Sequence, residues 1–303
     1  MTDTPHISHT TPPLSDATGL VADLVALLRL EQLDTDRFRG ASEDIGTRNV
    51  FGGQVLGQAL MAATRTVTDR PIHSLHAYFL LPGDKREPID YSVERVRDGR
   101  SFGTRRVVAQ QGERTIFTMM ASFQAVEPGS FAHHRPMPPA PGPEGLAGEA
   151  AQRRALGERL PPSWKALTVD GPIDYRNVDP LDLLEPAPGG LDSQLWLRAA
   201  AALPDDPAVH LALLAYASDH GLLRAALRPH GLSFMQRAVR GASIDHAMWF
   251  HRDFRIDDWL LYCLDSPSAQ AGRGFSRGEV YSRDGRLVAS VAQEGMLRVT
   301  TGR

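Results

Sequence analysis

A chain of 303 residues, 42% hydrophobic and 23% charged, has the balance of a soluble globular protein and enough length for two domains of ordinary size. A net charge of −3 excludes a global basic field for nucleic acid or an anionic surface, and no apolar run approaches the ~20 residues of a membrane span. The single cysteine, Cys263, excludes an intrachain disulfide, and without a basic-then-apolar signal in the first residues a cytoplasmic location is expected.

Residues 1–17 are rich in Thr, Pro, Ser and Asp, too polar to bury, and read as a disordered tail. Leu20 to Leu33 carries apolar residues at helical spacing. The stretch Phe51-Gly-Gly-Gln-Val-Leu-Gly-Gln-Ala-Leu-Met-Ala-Ala63 opens with glycines and becomes small and apolar on all sides, the pattern of a buried helix that a sheet approaches closely. Strands are expected at Ser74–Leu81, Ile89–Arg97, Arg105–Gln110 and Ile116–Gln124, with turn signals at Asp98-Gly99 and Gln111-Gly112. A buried helix followed by an antiparallel meander makes an α+β unit over 18–127.

Residues 128–188 hold 12 of the 22 prolines and read as a linker, with a short helix possible only at Glu149–Leu160. The order then repeats over 189–303: a long apolar helix at His210–Leu227, and strands at Gly241–His251, Trp259–Leu264, Gly274–Ser282 and Leu287–Arg298. The repetition is visible in the residues. A slide of 170 puts His76-Ala77 on His246-Ala247, and smaller drifts put Gln54 opposite Asp219, His73 opposite Ser243 and Ser122 opposite Gln293. Two such units joined sheet to sheet would hold a ligand at their shared surface.

Where the copies differ in polar residues at buried positions, one copy can have kept a site. Asp219 reads two ways: as the cap of a helix resuming at Gly221, or as a buried carboxylate that needs hydrogen-bonding partners. Ser243 alone reads more simply as a serine at the start of a strand, and Gln293 as a satisfied amide at a strand end. Taken together they are a set able to hold a water molecule, with Asp219 as general base and Ser243 and Gln293 orienting the water and its target.

Other patterns carry less. Gly99-Arg-Ser-Phe-Gly103 has the letters of a nucleophile elbow, but a strand follows where a helix is required. Ser218-Asp219-His220 has the letters of a triad, yet helix neighbours project about 100° apart and cannot align. Cys263 sits in an apolar strand as a structural thiol. The histidines show no metal spacing, and neither a metal nor a cofactor is expected. The arginines at 97, 100, 105, 106, 273 and 277 read as solvated edges, a few of them able to grip a phosphate.

The blocks Phe51-Gly-Gly-Gln-Val, His73-Ser-Leu-His-Ala-Tyr-Phe, Pro82-Gly-Asp, Arg97-Asp-Gly-Arg-Ser-Phe, Ala121-Ser-Phe-Gln, Ile244-Asp-His-Ala-Met-Trp-Phe-His-Arg and Val291-Ala-Gln-Glu-Gly, in this order, resemble the acyl-CoA thioesterase II family of tandem hotdog proteins. The resemblance runs from roughly Leu28 to Arg298. It implies two hotdog units in one chain, hydrolysis of fatty acyl-CoA to free acid and coenzyme A, and association into dimers or tetramers. It also implies that an aspartate, a hydroxyl and a glutamine organise the attacking water, roles that fall on Asp219, Ser243 and Gln293. Two rivals remain: a hotdog enoyl-CoA hydratase, although the Tyr-x-Asp-x-Asn-Pro-x-His run of those relatives is missing, and a noncatalytic acyl-CoA-binding module.

Overall fold

The computed structural model describes residues 14–129, 131–236 and 238–300. Its first unit runs α1 (Leu14–Leu28), β1 (Glu31–Asp34), β2 (Arg37–Gly40), α2 (Gly52–Thr64), β3 (Ile72–Phe79), β4 (Ile89–Asp98), β5 (Phe102–Gln111) and β6 (Arg114–Gln124). The connecting region contributes α3 (Glu149–Ala155) and β7 (Ile173–Asn177). The second unit follows with β8 (Asp192–Ala199), α4 (Pro207–Ser218), α5 (Leu222–Leu227), β9 (Val239–Ser243), β10 (Asp245–Phe250), β11 (Leu260–Gln270), β12 (Arg273–Ser282) and β13 (Leu287–Val299).

These thirteen strands form one sheet in the order β1-β2-β4-β5-β6-β3-β10-β13-β12-β11-β8-β7, with β9 beside β13 and every pairing antiparallel. The seam between the units is β3 against β10, where His76 faces Ala247 and Ala77 faces His246. The residues that first revealed the repeat are thus the ones that join its copies. Each unit is a helix wrapped by an antiparallel sheet, and the expected pair of hotdog units in an α+β chain is what the architecture shows.

Composition explains the helix pairing at the centre. α2 packs on its own meander and against α4, and Leu56, Ala59, Leu60, Ala62 and Ala63 are fully buried. Gly53 and Gly57 let the helices approach: a Cβ at Gly53 would stand 2.2 Å from the Tyr216 carbonyl oxygen, and one at Gly57 2.9 Å from that of Ala212. Burying each large aliphatic side chain here contributes about 1.5–3 kcal/mol. The core is continuous through both units.

Several boundaries differ from the pattern. The helix expected over Leu20–Leu33 begins at Leu14 and stops at Leu28, because Glu31–Asp34 pairs with β2 and β2 pairs with β4. Of the tail expected over 1–17, residues 1–13 lie outside the described residues. The helix expected over His210–Leu227 breaks at 219–221, where Gly221 adopts φ 101°, a conformation closed to most other residues. Within 128–188, β7 pairs with β8 and extends the sheet. β7 alternates over only Ile173-Asp-Tyr-Arg within a proline-rich stretch, and β8 does not alternate.

Candidate active site

The helix break decides where Asp219 points. At the end of α4 the Ser218 hydroxyl bonds back to the Ala215 carbonyl at 2.9 Å and closes the last turn. Asp219 still has helical backbone angles, but Gly221 then turns the chain into α5 without a side-chain cap. The capping alternative for Asp219 therefore falls. Its carboxylate accepts instead from Ser243 Oγ, 3.2 Å from Oδ1.

Ser243 is aimed by an irregularity in the sheet. β10 pairs with β13 as Ala247 with Ala292, while β9 pairs as Ser243 with Gly295, so the register slips by one residue near Ile244. Such a bulge re-aims the neighbouring side chain. Ser243 Oγ comes to lie 2.8 Å from Gln293 Nε2, and Gln293 is buried at 1% exposure in β13. The structure thus brings Asp219, Ser243 and Gln293 into one connected chain of hydrogen bonds.

That chain continues to two residues the sequence reading did not assign. Gln293 Oε1 accepts from His246 Nδ1 at 2.6 Å, and His246 Nε2 lies 3.0 Å from the Ser218 hydroxyl. Burial pushes the His246 pKa below its usual value, with the Asp219 charge opposing, so the ring is neutral near pH 7. The only sequence signal for His246 was its match to His76 in the repeat. His76, in contrast, is exposed on the outer face of β3, packing its ring edge-on to Trp249 at 5.1 Å.

The first unit holds the mirrored positions without the acid. His73 Nε2 lies 2.8 Å from Ser122 Oγ, as Ser243 does from Gln293, but Gln54 bonds to the Ala41 carbonyl and the Glu43 amide. What this unit supplies across the seam is Gly52, the first residue of α2. A Cβ there would come within 2.7 Å of Asp219 Oδ2. The start of a helix has amide N–H groups without intrahelical partners, and here it faces a carboxylate from the other unit.

Asp219 and Ser243 line a cavity of about 1,380 Å³. Phe51, Val55, Phe79, Ile116 and Phe117 wall it from the first unit, Leu223, Phe234 and Met235 from the second, and Trp164 and Val169 from the connecting region. The volume exceeds the ~300–1,000 Å³ of ordinary small-ligand pockets. Arg48 and Arg198 also face it.

Comparison with known proteins places the chain. The profile described as acyl-CoA thioesterase matches residues 170–296, and the profile described as acyl-CoA thioesterase N-terminal domain matches 40–124. The chain belongs to the acyl-CoA thioesterase family. It is 39% identical to acyl-CoA thioesterase 2 of Haemophilus influenzae over 92% of this chain and 98% of that one. With human acyl-coenzyme A thioesterase 8 it shares 37% identity over 91% of this chain and 89% of that one. A crystal structure of an acyl-CoA thioesterase II from Mycobacterium marinum superposes with a TM-score of 0.75 at 43% identity, covering 92% of this chain and all of that one. Membership makes the chain an enzyme of the thioester hydrolase class.

The remaining sequence patterns resolve as structure. Gly99–Gly103 is the turn between β4 and β5, with Gly99 N–H bonded to the Phe102 carbonyl. His220 points away from Ser218 toward Glu149. Burial pushes the Cys263 thiol up to about 11, so it is no nucleophile. Among the arginines, Arg105 is not a solvated edge: at 2% exposure it bonds to Thr66, Asp98 and backbone carbonyls. Arg106, Arg273 and Arg277 pair with Glu94, Glu294 and Asp265. Among the described residues no helix is long and apolar enough to cross a membrane.

Proposed function

We propose that the protein hydrolyses fatty acyl-CoA to free fatty acid and coenzyme A, with a water molecule activated by Asp219 and oriented by Ser243 and Gln293, Gln293 acting through its bond to Ser243. The observation that carries this reading is the hydrogen-bonded run Asp219–Ser243–Gln293, whose first two members open on a large, mostly apolar cavity between the units. The apolar walls suit an acyl chain. Arg48 and Arg198, which also line the cavity, suit the phosphates of coenzyme A.

Ser243 occupies Oδ1 of Asp219, which leaves Oδ2, on the Gly52 side, to take a proton from water. The water oxygen bonds to the thioester carbonyl carbon, and charge gathers on the carbonyl oxygen. The free N–H groups at the start of α2 are placed to stabilise that charge. Collapse breaks the carbon–sulfur bond, and the departing thiolate recovers the proton from Asp219. A carboxylate is a weak base for water, so the rate rests on position more than on basicity.

Thiol release from a series of acyl-CoAs of rising chain length tests the reading. Wild type should release thiol, and Asp219→Asn should lose roughly 10²- to 10⁴-fold in kcat while remaining folded. Full turnover by a folded D219N removes the site. A thioester left intact but hydrated favours the hydratase, and stable binding without release favours the binding module. Assembly belongs to the same proposal: Tyr78, Met120 and Trp249 lie exposed together on the outer face of β3, β6 and β10, and sedimentation velocity should show dimers or tetramers.

A further inference from the structure

The prolines make the connection between the units look like a tether, yet it sends one carboxylate into the interior. Glu149, the first residue of α3, keeps 7% of its surface. Its oxygens accept from Arg153 Nη2 at 2.6 Å, Arg224 Nη2 at 2.8 Å and Asn177 Nδ2 at 3.0 Å, and His220 Nε2 lies 3.1 Å from both of them. His220 Nε2 also touches Arg224 Nη2. Burial alone would raise the Glu149 pKa, but Arg224, His220 and Arg153 hold it well below the ordinary carboxylate range. The group is an anion inside the protein at neutral pH.

What it grips is the helix break. His220 follows Asp219 directly, and Arg224 lies one turn further on, at the start of α5. The His220 ring stacks on Tyr175 with centroids 3.9 Å apart, and the Tyr175 hydroxyl bonds to the Ala217 carbonyl at 3.3 Å. Residues on both sides of Asp219 are thus tied to the connecting region through α3 and β7. The break needs such ties, because the regular helical ladder is interrupted there and Gly221 is the residue with the widest backbone freedom. Glu149 and Asp219 also wall the same cavity.

We infer that Glu149 is a positioning residue for thioester hydrolysis: through His220 and Arg224 it fixes the break so that the Asp219 carboxylate stays against Ser243. The connecting region is then a working part of the active site. This inference rests on the proposed role of Asp219. A carboxylate that merely anchored the connection would support folding without setting the geometry of the reaction.

The test compares wild type, Glu149→Gln and Glu149→Asp by thiol release and by amide hydrogen exchange over residues 217–222, with circular dichroism to verify folding. E149Q should lose roughly 100-fold in kcat, the cost of about 1 Å of misplacement, with KM within about threefold of wild type. E149D keeps the charge on a shorter arm and should lose only about three- to tenfold, and the amides at the break should exchange at least about tenfold faster in E149Q. A folded E149Q with wild-type kcat, or one whose loss lies in KM alone, overturns the inference. Should E149Q fail to fold, E149D decides, since its charge stays paired: wild-type kcat overturns the inference and a several-fold loss at constant KM supports it. If wild type releases no thiol, the functional reading falls, and unchanged exchange in the variants then overturns the inference separately.

Discussion

Gln293 donates its Nε2 hydrogen to Ser243 Oγ across 2.8 Å, and that bond decides which way the Ser243 proton points. Gln293 Oε1 is already taken by His246 Nδ1 at 2.6 Å, so the amide cannot turn over. Ser243 receives from Gln293 and has its own proton left for Asp219 Oδ1 at 3.2 Å. Polarity runs one way from His246 to the carboxylate. It requires a neutral His246 with its proton on Nδ1, leaving Nε2 as an acceptor that shares the single Ser218 hydroxyl proton, at 3.0 Å, with the Ala215 carbonyl at 2.9 Å.

Truncating the middle of this run should separate hydroxyl from methyl. Ser243→Ala removes a hydrogen bond to a charged group, about 1.5–3 kcal/mol, which corresponds to roughly 10- to 100-fold in kcat. Ser243→Thr keeps the hydroxyl and should stay close to wild type. Steady-state thiol release on both variants checks this, and an active S243A would show that the orienting chain ends at Asp219.

A methyl group at the start of α2 should act on the other unit. In Gly52→Ala the new Cβ would sit 2.7 Å from Asp219 Oδ2 and 3.1 Å from a Phe79 ring carbon, so the carboxylate must shift. A displacement near 1 Å costs roughly 100-fold in kcat. Because alanine favours a helix more than glycine, stability should change little by comparison with activity. Loss of kcat at near-constant melting temperature is the expected signature.

One residue further on, the same change should do the opposite. A Cβ at Gly53 would lie 2.2 Å from the Tyr216 carbonyl oxygen, which belongs to backbone and cannot swing aside. Gly53→Ala must therefore part α2 from α4, and overpacking of this kind costs about 3 kcal/mol. Urea unfolding should show the midpoint falling. A G53A protein as stable as wild type would mean the helices are less closely held than these distances show.

Much of this was legible in the residues, and the failures share physical causes. Both meanders follow from alternating strands whose turns carry Asp98-Gly99 or Asp284-Gly285, and both central helices from runs of small and apolar residues. β7 was missed because Ile173-Asp-Tyr-Arg, although it alternates, is a short stretch set among prolines, and β8 because Leu195-Trp196-Leu197 breaks the alternation. Comparing the copies pointed to Asp219, Ser243 and Gln293, which the fold brings together. His246 went unassigned because a buried histidine has no sequence signature, and Glu149 because its partners lie 71 and 75 positions away. The break before Gly221 was legible only as an alternative, a helix resuming at Gly221 with Asp219 as its cap, because the surrounding apolar run also reads as one helix.

The buried histidines should make stability depend on pH in one direction. His73, His210, His220 and His246 all have pKa values lowered from 6.5, in each case chiefly by burial. Between 6.5 and those lower values the unfolded chain binds more protons than the folded one, so stability rises with pH across that window. It is fully present above about 6.5 and is lost as pH falls toward the folded values. Carboxylates such as Glu149 and Asp84, whose pKa values are lowered too, withdraw their stabilisation only as pH falls below their ordinary range near 4. In the interval from pH 7 to 5 the histidines therefore dominate, with Glu43, whose carboxyl burial raises above its ordinary value, acting in the opposite direction at the lower end. Urea midpoints should decline steadily across it, and the His246 ring protons in NMR should not titrate until below pH 6.5. A flat midpoint would mean these rings are already solvated in the folded protein, and the neutral His246 that orients Gln293 would have to be abandoned.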